Sequence, residues 1–171
     1  MAIQKKILLV EVVKSSEFKT WCNESLKEVF DSLFAVDIAL IPIEKDAMID
    51  FEISGIVAFM TDDIEAILQL SCSQLTIFNL SKSLSGDPIQ DQNTFLCVGE
   101  AVNIVFGMLK EKMNFYDLNY EKCLPLVILG QNHVILNLNK SEAFNNTYRT
   151  PYGLFNLKVG FSKKFAFSKA S

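Results

Sequence analysis

The chain has 171 residues, enough for one domain with a sizeable core, and half of them are hydrophobic, fourteen being phenylalanine. Such a chain buries enough apolar surface to offset its ordering entropy, which excludes a disordered protein. The net charge is −4 and Arg149 is the single arginine, which excludes the basic patches and arginine forks of nucleic-acid readers.

Lys5 and Lys6 precede an apolar run that Glu11 interrupts, too short for a secretory signal, and no later run is long enough to span a bilayer. A cytoplasmic location is therefore expected. Residues 7–13 predict a strand. Residues 17–34 predict an amphipathic helix, because Phe18, Trp21, Cys22, Leu26, Val29, Phe30 and Leu33 follow one helical stripe. Residues 38–43 and 49–60 predict strands, with Gly55 as a bulge or turn between two arms of the second. Thr61 or Asp62 would cap a short helix to about Ser71, since Asp62 and Glu65 have capping-box spacing.

Residues 75–80 suit a strand or a helix, and residues 81–92 read as a polar loop. A second long helix is predicted over 93–114, followed by strands at 126–129, 134–138 and 154–161. In the last, Phe155, Leu157, Val159 and Phe161 alternate with Asn156, Lys158 and Gly160. Helices and strands come in clusters and do not alternate strictly. The expected fold is α+β, a mainly antiparallel sheet packed against two long helices and a short one, in a single domain over 1–171. The order of elements echoes itself loosely, strands then helix and helix then strands, with little residue identity between the halves.

Most familiar chemistries are missing. His133 is the only histidine, which removes His-based triads and His-rich metal sites; it reads as an ordinary strand-edge residue. No glycine precedes a Lys-Ser/Thr pair and no GxGxxG occurs, so there is no phosphate loop. Arg149 does not follow a cysteine at the spacing a cysteine-nucleophile phosphatase requires. Cys22, Cys72, Cys97 and Cys123 form no CxxC pair and read as buried free thiols. Asp62 and Asp63 fit helix-start charges better than metal ligands. No metal site is expected.

The second long helix carries the informative pattern. At about 100° per residue, Val98, Val102, Val105, Leu109 and Met113 share a core stripe, with Phe95 and Phe106 beside it. Glu100, Asn103 and Gly107 cluster within about 60° on the opposite side. A mid-helix glycine costs about 1 kcal/mol relative to alanine, so a partner surface pressing close would explain Gly107. Taken alone, a glutamate followed three residues later by asparagine reads as a solvated face. The chain has three such pairs: Glu100/Asn103, Glu111/Asn114 at the fraying end of the helix, and Glu142/Asn145 in a predicted loop.

The setting distinguishes the first pair. Gly99-Glu100-Ala101-Val102-Asn103-Ile104-Val105-Phe106-Gly107 resembles the signature helix of the CheX/CheC/FliY family of chemotaxis phosphatases. Gly55-Ile56-Val57-Ala58-Phe59 with Thr61-Asp62-Asp63-Ile64-Glu65-Ala66 is similar to the family's strand leading into its first short helix. Leu124-Pro125-Leu126-Val127-Ile128 resembles the strand after the signature helix, and Tyr152-Gly153-Leu154-Phe155 the closing strand. The resemblance covers about residues 17–162. Two departures stand out. Leu68 occupies the place of the amide in a second Glu-to-Asn pair, which leaves one site, as in CheX, and Leu96 replaces an acidic residue one turn before the glutamate.

The resemblance implies a CheX-like phosphatase that accelerates hydrolysis of the aspartyl phosphate on a CheY-like response-regulator receiver. Asn103 would position the water and Glu100 would pair with the receiver's active-site lysine. Gly99, Gly107 and Leu96 would lie in the partner contact. It further implies a homodimer, no cofactor of the chain's own, and Mg2+ carried by the receiver. A different class of reading is a non-catalytic receiver-binding adaptor or a flagellar-switch-like structural module. A third is a small-molecule sensor with a Phe-rich pocket.

Overall fold

A computed structural model of the chain describes residues 9–42, 51–61, 64–85, 92–114, 121–122, 124–131, 133 and 141–163. The described residues open with a short helix, α1 (Leu9–Lys14), where the sequence predicts a strand. β-branched residues favour strands only where a pleated neighbour is available. Here Val12 and Val13, adjacent in sequence, are both buried, which an exposed-edge strand would not allow. The first long helix, α2 (Ser16–Phe34), follows at once. Ser15 caps it, its Oγ accepting a 3.0 Å hydrogen bond from the Phe18 amide, and Ala35 ends it in the left-handed region. The buried stripe of α2 is Phe18, Cys22, Ser25, Leu26, Val29, Phe30 and Phe34, as helical periodicity demands.

The strands are β1 (Ala39–Ile41), β2 (Ile53–Met60), β3 (Ile64–Cys72), β4 (Glu121–Lys122), β5 (Leu126–Leu129), β6 (Ser141–Thr150) and β7 (Gly153–Lys163). They form one sheet in the order β1-β6-β7-β3-β2-β4, with β5 also pairing with β2, and every pairing is antiparallel. Two further helices, α3 (Gln74–Ser85) and α4 (Gln92–Asn114), complete the described chain. The α+β architecture expected from the sequence is therefore present. Residues 75–80 are helical, and α3 takes in the first part of the predicted polar loop.

Three further expectations fail for identifiable reasons. The segment after Thr61 is β3 and not a short helix. Ile64, Ala66, Leu68 and Leu70 are buried while Glu65 is exposed, a period of two that outweighs the capping-box pattern. Thr61 instead closes a hairpin: its amide donates to the Ile64 carbonyl at 2.9 Å, and its Oγ1 accepts from the Ile64 amide at 3.4 Å. Glu65 and Leu68 thus lie on opposite faces of a strand, so Leu68 does not mark a lost amide on a helix. Next, Gly55 is no bulge; β2 and β3 pair in unbroken register from Ile53 to Met60. Finally, Glu142 and Asn145 lie in β6, which the sequence reads as loop, with an irregularity between Glu142 and Phe144. The predicted strand at 134–138, together with Asp62, Asp63 and Cys123, lies outside the described residues.

The core lies between the sheet and the helices. Phe30 of α2 meets Phe155 of β7 edge to face at 4.6 Å, and Phe59 of β2 meets Phe106 of α4 at 5.0 Å. On the other face of the sheet a polar chain replaces the apolar one. Gln69 Nε2 donates to Ser71 Oγ at 2.8 Å, and the Ser71 and Ser54 hydroxyls are 2.7 Å apart. Ser54 Oγ is 2.8 Å from His133 Nε2, and His133 Nδ1 is 2.8 Å from the Gly130 carbonyl. Ser54 and Ser71 are fully buried by this arrangement.

Candidate functional site

The candidate site is the exposed stripe of α4. Its buried side comprises Val98, Ala101, Val102, Val105, Phe106, Leu109 and Met113, which seat the helix across β2 and β3. Two contacts set its height and rotation. A Cβ on Gly55 would lie 2.6 Å from the Val98 carbonyl oxygen, so only glycine lets the helix backbone settle there. One residue on, a Cβ on Gly99 would meet Val127 Cγ2 at 2.6 Å, so β5 packs against the flank of the same turn. Near the far end, Lys112 Nζ donates to Glu24 Oε2 of α2 at 3.1 Å, an exposed ion pair of small energetic weight.

This seating leaves Glu100 exposed. Its carboxylate has no ion-pair partner among the described residues. Asn103 follows on the same stripe, half-buried, one turn away, and residues at this spacing are neighbours on a helix surface about 5–6 Å apart. Gly107 completes the stripe a further turn along, with nothing within 4 Å of where its Cβ would be. The acid, the amide and the bare backbone are thus together on one accessible face. Leu96 stands one turn before Glu100 and is 55% exposed.

Gly99 is not on that face. It is buried against Val127, and internal packing with β5 accounts for the missing side chain, which corrects its expected place in a partner contact. Of the two other Glu/Asn pairs, Glu111 and Asn114 are exposed at the end of α4, and Glu142/Asn145 belongs to a strand. Sequence reading missed Gly55 as the seat of the helix. Its signal was a glycine inside an otherwise apolar strand pattern, which marks close backbone approach as readily as a bulge.

Cys22 and Cys72 are buried free thiols, as expected, and Cys97 is half-buried. Burial pushes both buried thiols well above the ordinary range, Glu52 adding to the effect at Cys72, so neither is a nucleophile. Among the described residues, no group of three histidine, cysteine, aspartate or glutamate side chains could hold a metal ion. No helix among them is long and apolar enough to cross a membrane.

No protein-family model and no curated protein sequence matches the chain. Solved structures do. The chemotaxis protein CheX from Vibrio vulnificus aligns over 86% of this chain and 100% of its own, with a TM-score of 0.74 at 17% identity. A CheC-like superfamily protein from Shewanella sp. PV-4 aligns over 86% and 99%, with a TM-score of 0.75 at 18% identity. A chain of the CheX-CheY-BeF3-Mg2+ complex from Borrelia burgdorferi aligns over 85% and 97%, with a TM-score of 0.61 at 17% identity. The FliM middle domain from H. pylori is more distant, with a TM-score of 0.52 at 11% identity over 86% and 93%. The full length of CheX is thus matched by an antiparallel sheet and helices in the same arrangement, and the chain has the fold of the CheX and CheC-like chemotaxis proteins.

Proposed function

We propose that the chain is a CheX-like phosphatase that docks a phosphorylated CheY-like receiver on the exposed stripe of α4 and accelerates loss of its phosphoryl group. The observation that carries this reading is the joint emergence of Glu100 and Asn103 from one face, a turn apart, beside the open backbone of Gly107. The likeness to the CheX of a CheX-CheY-BeF3-Mg2+ complex supports the choice of partner.

An aspartyl phosphate is already reactive, so the work left to the protein is placing water in line with the bond that breaks. The Asn103 carboxamide holds that water through its oxygen or its NH2, as the water-orienting glutamine of GTPases does. The water oxygen bonds to phosphorus, the bond from phosphorus to the aspartyl oxygen breaks, and inorganic phosphate leaves with the receiver's carboxylate restored. Glu100 pairs with the receiver's active-site lysine and fixes the register of the complex; such a pair contributes orientation more than affinity. The receiver brings the Mg2+, and this chain contributes no metal ligand.

A second reading, a receiver-binding or flagellar-switch-like module without turnover, draws on the likeness to the FliM middle domain. One experiment separates the two: phosphate release from a phosphorylated receiver is followed with the wild type and with Asn103→Ala. The phosphatase reading expects acceleration by the wild type and a loss of at least about a hundredfold in the variant, the scale of losing a positioning group. Binding of the receiver without faster release would establish the adaptor instead.

A further inference from the structure

The surface one turn before Glu100 is apolar, and strand register extends that character beyond Leu96. Helix α4 runs parallel to β2, because Gly55 lies under Val98 and Phe59 lies under Phe106. Strand β5 is antiparallel to β2, so β5 and α4 run in opposite directions. From the contact between Gly99 and Val127, one strand step of two residues leads to Leu129, and one turn back along α4 leads to Leu96. Both steps go the same way. Leu129 and Val127 share a face of β5, the face that packs on α4. Leu96 lies on α4 between the directions of Glu100 and Gly99, leaning toward β5, and helical side chains tilt toward the helix N-terminus. Leu96 is 55% exposed and Leu129 is 50% exposed.

We propose that Leu96 and Leu129 form an apolar shoulder of the docking face, and that this shoulder selects receivers presenting an apolar side chain against it. The proposal rests on the reading of α4 as a receiver-docking face. A carboxylate at this place would be matched by a basic group on the receiver. A leucine cannot match one. A lysine pressed against this shoulder loses its hydration and gains no partner, whereas an aliphatic side chain gains burial. The shoulder continues the stripe of Glu100 and Asn103, so a receiver seated on those two covers it as well.

The test uses a panel of receiver domains held active with beryllofluoride and Mg2+, so that affinity is read without turnover. For the receiver that binds most tightly, Leu96→Glu and Leu129→Glu weaken binding at least about tenfold, the effect of losing one apolar anchor. Leu96→Met binds within about twofold of the wild type, because volume and polarity are kept. In phosphate release, Leu96→Glu raises KM and leaves kcat unchanged. Wild-type affinity in both glutamate variants overturns the proposal while leaving the phosphatase reading intact. Conversely, wild-type turnover by Asn103→Ala removes that reading without altering the affinities. If no receiver in the panel binds, both fall. If the glutamate variants change only the association of the chain with itself, the shoulder is a contact between copies and the proposal is overturned.

Discussion

The amide nitrogen of Gly99 lies 3.0 Å from the position a Cβ would take on Gly55, so α4 and β2 meet backbone to backbone beside Glu100. The atoms in the way belong to the main chain of a helix and cannot rotate aside. Gly55→Ala is therefore expected to cost about 3 kcal/mol, the upper end for forced overpacking. On the phosphatase reading, because the displaced turn carries Glu100, phosphate release should fall further than the loss of folded protein explains. Urea unfolding measures the first effect and phosphate release at a temperature where the variant is folded measures the second. A variant as stable as the wild type would show that the helix can be lifted at no cost.

Gly107 presents the opposite case, with open space where its side chain would be. Gly107→Ala is expected to stabilise the protein by about 1 kcal/mol, the helix-propensity difference, and to raise Tm by about 2–4 °C. Gly107→Leu should fold as well as the wild type and, on the proposed docking of a receiver at this stripe, bind an activated receiver at least about tenfold more weakly, since bulk then stands in the way. Equal binding by the leucine variant would leave the glycine without a partner-based reason.

The long helices were readable from the sequence because their apolar residues recur at helical spacing. Phe18, Cys22, Leu26, Val29 and Phe30 lie on one stripe, and Glu100 and Asn103 separate from Val102 and Val105 by angle alone. The hairpin of β2 and β3 was hidden because Asp62 and Glu65 mimic a helix start, while the true signal was the alternation from Ile64 to Leu70. β6 was hidden for another reason. Asn145 and Asn146 have little strand preference of their own, and they are held by pairing with Lys158 and Leu157 of β7. Distances across the fold, such as Gly55 to Val98, have no local trace beyond the presence of a glycine.

Alkaline pH should destabilise the protein. Burial raises the Cys22 and Cys72 thiols, and it raises the Tyr148 phenol, with a smaller opposing effect from a hydrogen bond to Asn146. All three keep their protons in the folded state at a pH where the unfolded chain releases them. The unfolded state then binds fewer protons, so stability falls as pH rises. Their contribution is complete below about pH 8.5 and declines above it, where unfolded thiols ionise. Thermal melts between pH 8 and 11 check this. A Tm that holds to pH 10.5 would contradict it, and a Cys22→Ala/Cys72→Ala variant should decline less steeply.

Ser54→Ala should cost about 1–3 kcal/mol, because it removes the partner of the buried Ser71 hydroxyl and of the half-buried His133 ring. Ser71→Ala should cost a similar amount. The double variant should cost less than the sum, since each single change already breaks the same chain of hydrogen bonds. Chemical denaturation of the three variants measures the coupling. Strict additivity would mean that the two hydroxyls act independently.

That chain has a direction. The Gly130 carbonyl can only accept, so His133 carries its proton on Nδ1, and in the neutral ring Nε2 must accept from Ser54. Ser54 then accepts from Ser71, and Ser71 from Gln69, which leaves a single arrangement of protons along four side chains. The order of donors therefore runs from Gln69 through the two serines to His133 and ends on the Gly130 carbonyl. It lies on the face of the sheet opposite α4, one residue from the glycine on which that helix rests.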